Sequence, residues 1–526
     1  MLACSLAVVV GALPTVASGA PTAAPRAIGT ATAVRSGAQP AHIGSGLSAL
    51  QGSQPVSRLV AARTATSAAN SRIDQILRVR SSSRILGKRF TMTVWDSASG
   101  SYVYQRRAAA SLRGASTTKV LTAVAALATL GPEHRFPTTV RAGAVPGEVI
   151  LVAGGDPLLS SADLRTLARS TAAALAAAAN PTPSTPTTAP APSITETPGP
   201  VPTAAPSVGP PTPDPTAPTA APLASAAPLA SVPTAPVPTT PPPTTLPTTP
   251  APAPTPVGPI TVRADDSLFS GSGQSHGWRS SYLPREVRPV GAFARDDRKV
   301  RDATKDAGSY FAAALRGAGI SARYAGEATA APGSATLASV PGHSLAEAVS
   351  RMLLISDNDT AEMLFRHVAV ARGLPGTWAG ARQGAADTLS QLQVPLTGVR
   401  IVDGSGLSLD GRLTAGALTS ALALAISPAH PELSGLRAWL PVAGRTGTLK
   451  ASAKRFSSKP SRCAAGLIQA KTGTVADAIA LAGYATGADG QTKVFVSIVN
   501  SRPTRYSRAT TRRAVDRAAS SVTGCW

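Results

Sequence analysis

Gly114-Ala115-Ser116-Thr117-Thr118-Lys119-Val120-Leu121 is the stretch on which the fold of this chain turns. Before it, Arg89-Phe-Thr-Met-Thr-Val-Trp95 alternates as a strand does. A turn follows at Asp96-Ser-Ala-Ser-Gly100, and Tyr102-Val-Tyr-Gln105 returns. After it, residues 117–130 carry Val120, Leu121, Val124, Ala125, Leu127 and Leu130 in a helical pattern that stops at Gly131-Pro132. Ser116 therefore opens an apolar helix directly behind a β-hairpin. Lys119, three residues on, lies on the same helical face, where its amine can meet the hydroxyl. A free hydroxyl is a poor nucleophile and needs a base. Lysine serves when burial or a second cation lowers its pKa. The helix N-terminus favours negative charge developing on the serine oxygen. Alone, this pattern would read as a serine cap followed by an exposed lysine.

Two further motifs remove that ambiguity. Ser356-Asp357-Asn358 follows the apolar run Met352-Leu-Leu-Ile355, and Lys471-Thr472-Gly473-Thr474 ends a strand. Ser116–Lys119 is the only S-x-x-K in the chain, Ser356–Asn358 the only S-x-N, and Lys471–Gly473 the only K-T-G. Ser356, placed near Lys119, would relay a proton to a leaving amine, and Asn358 would hold a substrate amide. Lys471 would offer positive charge to a terminal carboxylate, Thr472 and Thr474 hydroxyl donors, and Gly473 room for a substrate backbone. The amides of Ser116 and Thr474 would form an oxyanion hole. Taken singly, the second motif is a helix cap and the third a basic residue before a turn. Three unique motifs in this order point to a serine acyl-enzyme.

Outward from these motifs the organisation is uneven. Residues 1–20 read as a signal-like segment, apolar over Leu2 to Leu13 and small-residue after it, too short to span a bilayer. Residues 21–70 lack any period and read as a disordered leader, with a short helix beginning at Ser71. Residues 180–259 are a Pro/Thr/Ala tract almost without charge, in which proline forbids helix and inner strand. The pattern resumes at once with the strand from Ile260, so the tract loops out of a folded unit. Downstream, 345–371 reads as mostly helical, with Ser356–Asn358 inside it, 413–426 as a helix, 465–471, 478–485 and 492–499 as strands, and 511–521 as a closing helix.

Composition narrows the classes. The chain has 526 residues, 43% hydrophobic but only 4% aromatic, so its core is aliphatic. A formal charge of +23 draws it to polyanions. Nucleic acid is not expected, because zinc-finger spacing, an RNA-recognition signature and basic–aromatic interleaving are all missing. Acidic cell-wall polymers or an anionic membrane surface suit an exported protein. Arginine enrichment from genomic composition explains the charge equally well. Removing the leader would leave Cys463 and Cys525, an even pair that forms a disulfide or stays as two buried thiols. No metal site or cofactor is expected, and His134 and His367 read as ordinary surface or core residues.

The ordered set S-x-x-K, S-D-N, K-T-G is shared by penicillin-binding proteins and class A β-lactamases. The chain resembles low-molecular-mass class C penicillin-binding proteins, the D-alanyl-D-alanine carboxypeptidase/endopeptidases of peptidase family S13. Gly154-Gly-Asp-Pro157, Ala264-Asp-Asp-Ser-Leu-Phe269, Asp403-Gly-Ser-Gly-Leu-Ser408 and Leu440-Pro-Val-Ala-Gly444 with Gly447-Thr-Leu449 carry the likeness further. It departs at Leu409, where the family often has arginine, with Arg412 as a stand-in. The resemblance implies an α/β penicillin-binding/β-lactamase-like transpeptidase fold, an antiparallel sheet flanked by helices, with a large inserted domain. On that reading 71–141 and 342–526 form a discontinuous peptidase domain and 142–341 the insertion. It implies Ser116 as nucleophile, Lys119 as base, Ser356 and Asn358 in proton relay and substrate holding, and Lys471, Thr472, Gly473 and Thr474 in binding. Peptidoglycan stem peptides and β-lactam antibiotics are the implied partners, and the cell envelope or exterior the implied place. The rival readings are a serine β-lactamase or esterase, and a catalytically vestigial wall-binding protein.

Overall fold

The structure is a computed structural model that describes residues 54–179 and 258–526, with side chains from Thr64 onward. Residues Ala61–Trp526 form one compact unit, and the unit Met1–Val60 is described only from Gln54, where the first helix begins. In chain order the elements are α1 (Gln54–Ser81), β1 (Arg89–Asp96), β2 (Ser101–Arg106), α2 (Thr118–Leu130), β3 (Thr138–Ala142), β4 (Glu148–Val152) and α3 (Ser161–Ala179). After the break come β5 (Ile260–Asp265), α4 (Ala303–Gly317), β6 (Ala322–Glu327), β7 (Thr336–Val340), α5 (Leu345–Leu354), α6 (Asn358–Ala371), α7 (Trp378–Gln391) and α8 (Ala415–Leu424). β8 (Ile468–Thr474), β9 (Ala478–Thr486), β10 (Thr492–Asn500) and α9 (Arg508–Ser520) close the chain.

The hairpin and the three late strands make one antiparallel sheet in the order β2-β1-β10-β9-β8. Side chains alternate across it, as strand geometry requires. On β10, Phe495 and Val499 join the core shared with α1 and α9, while Val494, Val496 and Ile498 join the core shared with α2 and α8. Helix α2 is buried from Thr118 through Leu127. Its Val120, Leu121, Val124 and Leu127 each contribute roughly 1.5–3 kcal/mol by leaving water, which anchors the turn carrying Ser116. β8 is the outer strand, and its far edge is covered by the 441–443 segment as far as Ala470.

A second, mixed sheet has the order β6-β5-β4-β3-β7, with β4, β5 and β6 mutually parallel and β3 antiparallel to both its neighbours. It begins at Thr138, before the boundary at 142 expected from sequence, because β3 is needed to bridge β4 and β7. The expected signal-like segment 1–20 and the tract 180–257 lie outside the described residues.

One expectation needs correction. The leader does not run to residue 70, because α1 is helical from Gln54. Ile73 and Leu77 are its large apolar contacts with the core. Alanine and arginine propensity sustains its earlier turns without an apolar stripe, which hid them from a periodicity reading. The mostly helical stretch 345–371 divides in two: α5 ends at Leu354 and α6 starts at Asn358. Between them Ser356 takes φ 63° and Asp357 caps α6, accepting from the Asp359 N–H at 3.0 Å. Cys463 and Cys525 are joined as a disulfide, Cα atoms 6.1 Å apart, tying the loop before β8 to the C-terminus.

Candidate active site

Ser116 sits in a 3-10 turn, Ala115–Thr117, that leads into α2. From Gly114 to Val120 it alone is not buried. Ala115 takes φ 47°, a left-handed conformation costing roughly 1–2 kcal/mol for a residue with a Cβ. The surroundings enforce it. Thr118 Oγ1 donates to Ala115 O at 2.9 Å, and a Cβ on Gly406 would fall 2.1 Å from that same oxygen. Gly473 meets the turn from the other side: a Cβ there would fall 2.6 Å from Gly114 O and 3.3 Å from Ala115 Cβ. That glycine thus admits the turn carrying Ser116, a nearer demand than the substrate clearance expected of it.

Lys119 is fully buried, and its Nζ donates to Ser116 Oγ at 3.2 Å, Asn358 Oδ1 at 2.7 Å and Ser405 O at 3.1 Å. All three ammonium protons have acceptors, and the amine points at the serine. Burial pushes its pKa down to about 8, against the pull of Glu362, Asp357, Asp403 and Asp359. At that value roughly a tenth of the amine is neutral at pH 7, enough for a base without an external switch.

Ser356 is not held by Lys119 as expected. Its left-handed backbone aims Oγ at β8, where Lys471 Nζ donates to it at 2.8 Å and to Thr472 O at 2.9 Å. Asn358 is the residue of the second motif that meets Lys119, and its Nδ2 donates to Glu286 O at 2.8 Å. Both ends of that amide are engaged, so it orients the lysine more directly than it could hold a ligand. Lys471 is itself fully buried, and burial, then the nearby Lys119, drive its pKa well below the ordinary lysine value. The standing positive charge expected there is therefore costly until an anion arrives. Thr472 Oγ1 donates to Thr448 Oγ1 at 2.8 Å, and Thr474 is exposed. The Ala470 N–H leaves the β8–β9 ladder for Pro441 O at 2.9 Å. By strand alternation the Thr472 and Thr474 N–H groups share that outer edge, on the side from which the Ser116 turn approaches.

Three contributors escaped the sequence reading. Glu362, fully buried on α6, accepts from the Gly404 N–H at 2.7 Å and the Ser405 N–H at 2.9 Å, fixing the carbonyl that receives Lys119. Burial, then Asp403, raises its pKa to about 8. Asp403 is raised by burial and accepts from Trp278 Nε1, Gly406 N–H and Ser408 N–H, folding the loop against Ala115. Thr448 is the third. The four-residue step from Asn358 to Glu362, one helical turn, was the available signal for the first. Asp403 and Thr448 lie inside quoted stretches but carried no assigned role. Arg412, the stand-in for arginine at 409, turns back onto Leu409 O and Gly411 O, 2.8 Å each.

Among the described residues one carboxylate trio, Asp297, Asp357 and Asp359, is close enough to share an ion. Lys299 and Arg351 already bridge it and Arg288 lies 3.8 Å from Asp359, so its charge is met by protein. His367 is a core residue: burial pushes its pKa to about 4, and its Nε2 lies 2.9 Å from Gly155 O.

A serine hydroxyl within bonding reach of a buried lysine, beside a second serine–lysine pair at a sheet edge, is an arrangement that suits a serine hydrolase. The chain belongs to the D-Ala-D-Ala carboxypeptidase 3 (S13) family, whose sequence profile matches residues 70–175 and 282–522. It is a serine D,D-carboxypeptidase. Over 421 residues it is 29% identical to a carboxypeptidase of Mycobacterium tuberculosis, covering 77% of this chain and 75% of the relative. Over 444 residues it is 27% identical to a D-alanyl-D-alanine carboxypeptidase of an Actinomadura species, covering 78% and 77%. Its fold matches the crystal structure of penicillin binding protein 4 from Haemophilus influenzae, TM-score 0.55 at 18% identity, over 81% of this chain and 96% of that one.

Proposed function

We propose that Ser116 is the acylated nucleophile and that the substrates are peptidoglycan stem peptides ending in D-alanyl-D-alanine. Ser116 Oγ attacks the carbonyl carbon between the two alanines while neutral Lys119 takes its proton. The N–H groups of Ser116 and Thr474 receive the oxyanion. The C–N bond then breaks, and Ser356 passes a proton to the departing D-Ala amine, replenished from Lys471. Lys119 then releases the proton it took and Lys471 regains one from solvent. Water attacks the ester, Lys119 takes the water's proton and delivers it to Ser116 Oγ as the ester C–O bond breaks, and the shortened peptide leaves as a carboxylic acid. The substrate carboxylate meets Thr472 and Thr474 and restores the charge that burial withholds from Lys471. A cross-linked peptide presents the same amide on a different amine, so endopeptidase action uses the same steps.

The observation that carries this reading is Lys119 Nζ, buried and 3.2 Å from the one accessible hydroxyl of the turn. A β-lactam amide would acylate the same oxygen, and its ring-opened amine stays attached to the adduct. Mass spectrometry with peptide mapping after penicillin treatment is expected to place one adduct on Ser116, absent from Ser116→Ala, which also loses D-Ala release. Labelling elsewhere, or none in the parent protein, would sink the assignment. Rapid turnover of penicillin would favour the β-lactamase reading, and an unreactive parent the vestigial wall-binding one. Export is supported by the Cys463–Cys525 bond, which persists in oxidising compartments; fractionation finding the reduced protein in the cytosol would count against it.

A further inference from the structure

On the face of the antiparallel sheet opposite Ser116, α1 and α9 share a core with the strands. Between the end of α1, the loop before the disulfide and the start of α9 lies a cavity of about 450 Å³. Four cations line it: Arg80, Lys459, Arg513 and Arg517, with hydroxyls from Ser83 and Thr510 among its walls. Its lining contains no carboxylate and no aromatic ring. Among the described residues none of the four cations has an ion-pair partner; the acid of α9, Asp516, is committed to Arg455 through two bonds of 2.8 and 2.6 Å. Arg80 is held instead by neutral oxygens: Arg517 O at 3.1 Å, Ser521 Oγ at 2.5 Å and Cys525 O at 2.9 Å. Burial, then Arg517, lowers its pKa. A fixed guanidinium facing other cations across a concavity favours whatever anion enters.

We propose that this cavity binds a phosphodiester-linked polyol or sugar-phosphate chain, at a site separate from the catalytic cleft. Several cations without acids match a ligand that repeats its charge better than a single carboxylate. The cations arrive from α1, from the loop and from α9, so a tetrahedral phosphate can meet two or more, whereas a planar carboxylate meets partners in one plane. Nucleic acid is disfavoured because no ring lines the cavity for bases to stack on. A bilayer is disfavoured because a flat surface cannot enter a concavity. The excess positive charge of the chain thereby gains a location: it would hold the enzyme on an anionic polymer while the cleft across the sheet works on peptide.

The test uses the full chain and a fluorescein-labelled glycerol-phosphate octamer, with anisotropy at 20 and 150 mM salt. Binding is expected at low salt, weaker at high salt, and at least tenfold weaker for R513E/R517E; both arginines are exposed, and melting curves check the fold. The milder Arg513→Gln/Arg517→Gln should lie between. R165E/R169E changes net charge equally at an exposed site on α3 and should bind as the parent does, with penicillin acylation unchanged in both. The proposal is overturned by no binding to the parent, by no loss in R513E/R517E, or by equal loss in R165E/R169E. Tighter binding of single-stranded DNA, polyglutamate or phosphatidylglycerol vesicles overturns it as well.

Discussion

Replacing Glu362 by glutamine separates two jobs that one buried carboxylate does. The first is electrostatic, since Glu362 is the largest influence holding Lys119 protonated against burial. Chained through Ser405, 3.1 Å on one side and 2.9 Å on the other, carboxylate and ammonium lie no more than about 9 Å apart; at an effective dielectric of about 20 this is at least about 1.8 kcal/mol, a little over one pK unit. An ionised carboxylate favours the ammonium, so its loss lowers the Lys119 pKa further from about 8. The neutral amine then survives to lower pH. Burial holds Glu362 itself at about 8, so it is only partly ionised where Lys119 titrates, and the acid limb of penicillin acylation, followed from pH 5 to 9, should move down by less than one unit.

The second job is structural. A glutamine oxygen can satisfy one of the two N–H groups at Gly404 and Ser405, and its own NH2 faces the other. An unsatisfied buried group costs about 1–3 kcal/mol, so the plateau rate and urea stability should both fall. Glu362→Asp keeps the charge, and its acid limb should stay where the parent's lies. The neighbouring charges that share the titration, Asp357, Asp359, Asp403 and Lys471, are unchanged in both variants. A limb that stays put or moves to higher pH in Glu362→Gln would refute the electrostatic argument. A uniformly lower rate would leave Glu362 only its hold on the loop.

Three other outcomes are expected. Gly473→Ala places a Cβ 2.6 Å from Gly114 O; acylation should slow at least about tenfold and stability fall by about 1–3 kcal/mol, and unaltered penicillin labelling would show that the turn has room. Cys463→Ser opens a link across 62 residues, worth up to about 4 kcal/mol in chain entropy; urea unfolding should shift while the acylation rate of the folded fraction does not. His343 Nδ1 lies 2.9 Å from Asp156 Oδ2, which raises the histidine pKa. The stability that this proton link adds is fully present below pH 6.5 and lost as pH rises through the raised value. His343→Gln should therefore destabilise more at pH 5.5 than at pH 9, and equal losses at both would remove the ionic part of the contact.

The residues that the structure gathers around Ser116 were legible because their motifs are compact and rare in this chain. Hydroxyls and amines at short fixed spacing survive as words in the sequence, and the hairpin leading into Ser116 has a period that announces itself. What stayed hidden depends on approach in space. Ser356 and Lys471 meet across 2.8 Å only because the helix breaks at Ile355 and the backbone turns left-handed at Ser356. Ser356-Asp357-Asn358 has the composition of a helix cap, but nothing local states that the backbone turns left-handed there. Glu362 reads as one more acidic residue on a helix until Gly404 and Ser405 arrive from a loop some forty positions later. The earlier turns of α1 are the opposite case, a real element without a stripe to reveal it.

The fold explains why these distant pieces depend on one another. Ser116 is aimed by Ala115, whose strained backbone is held by Gly406; Gly406 belongs to the loop tied by Asp403; the same loop presents the Ser405 carbonyl to Lys119 and is pinned by Glu362. The geometry of Ser116 and the protonation of Lys119 thus share one support, and a change at 403, 406 or 362 should disturb both together. Lys471 stands on a different support, β8, where burial and Lys119 disfavour its charge. On the mechanism proposed above, a chain end with a free carboxylate would relieve that cost. A peptide amidated at its terminus should lose rate beyond its loss of affinity, because the proton store behind Ser356 is left with the wrong occupancy; equal acylation rates at saturation for the acid and amide forms would refute that coupling.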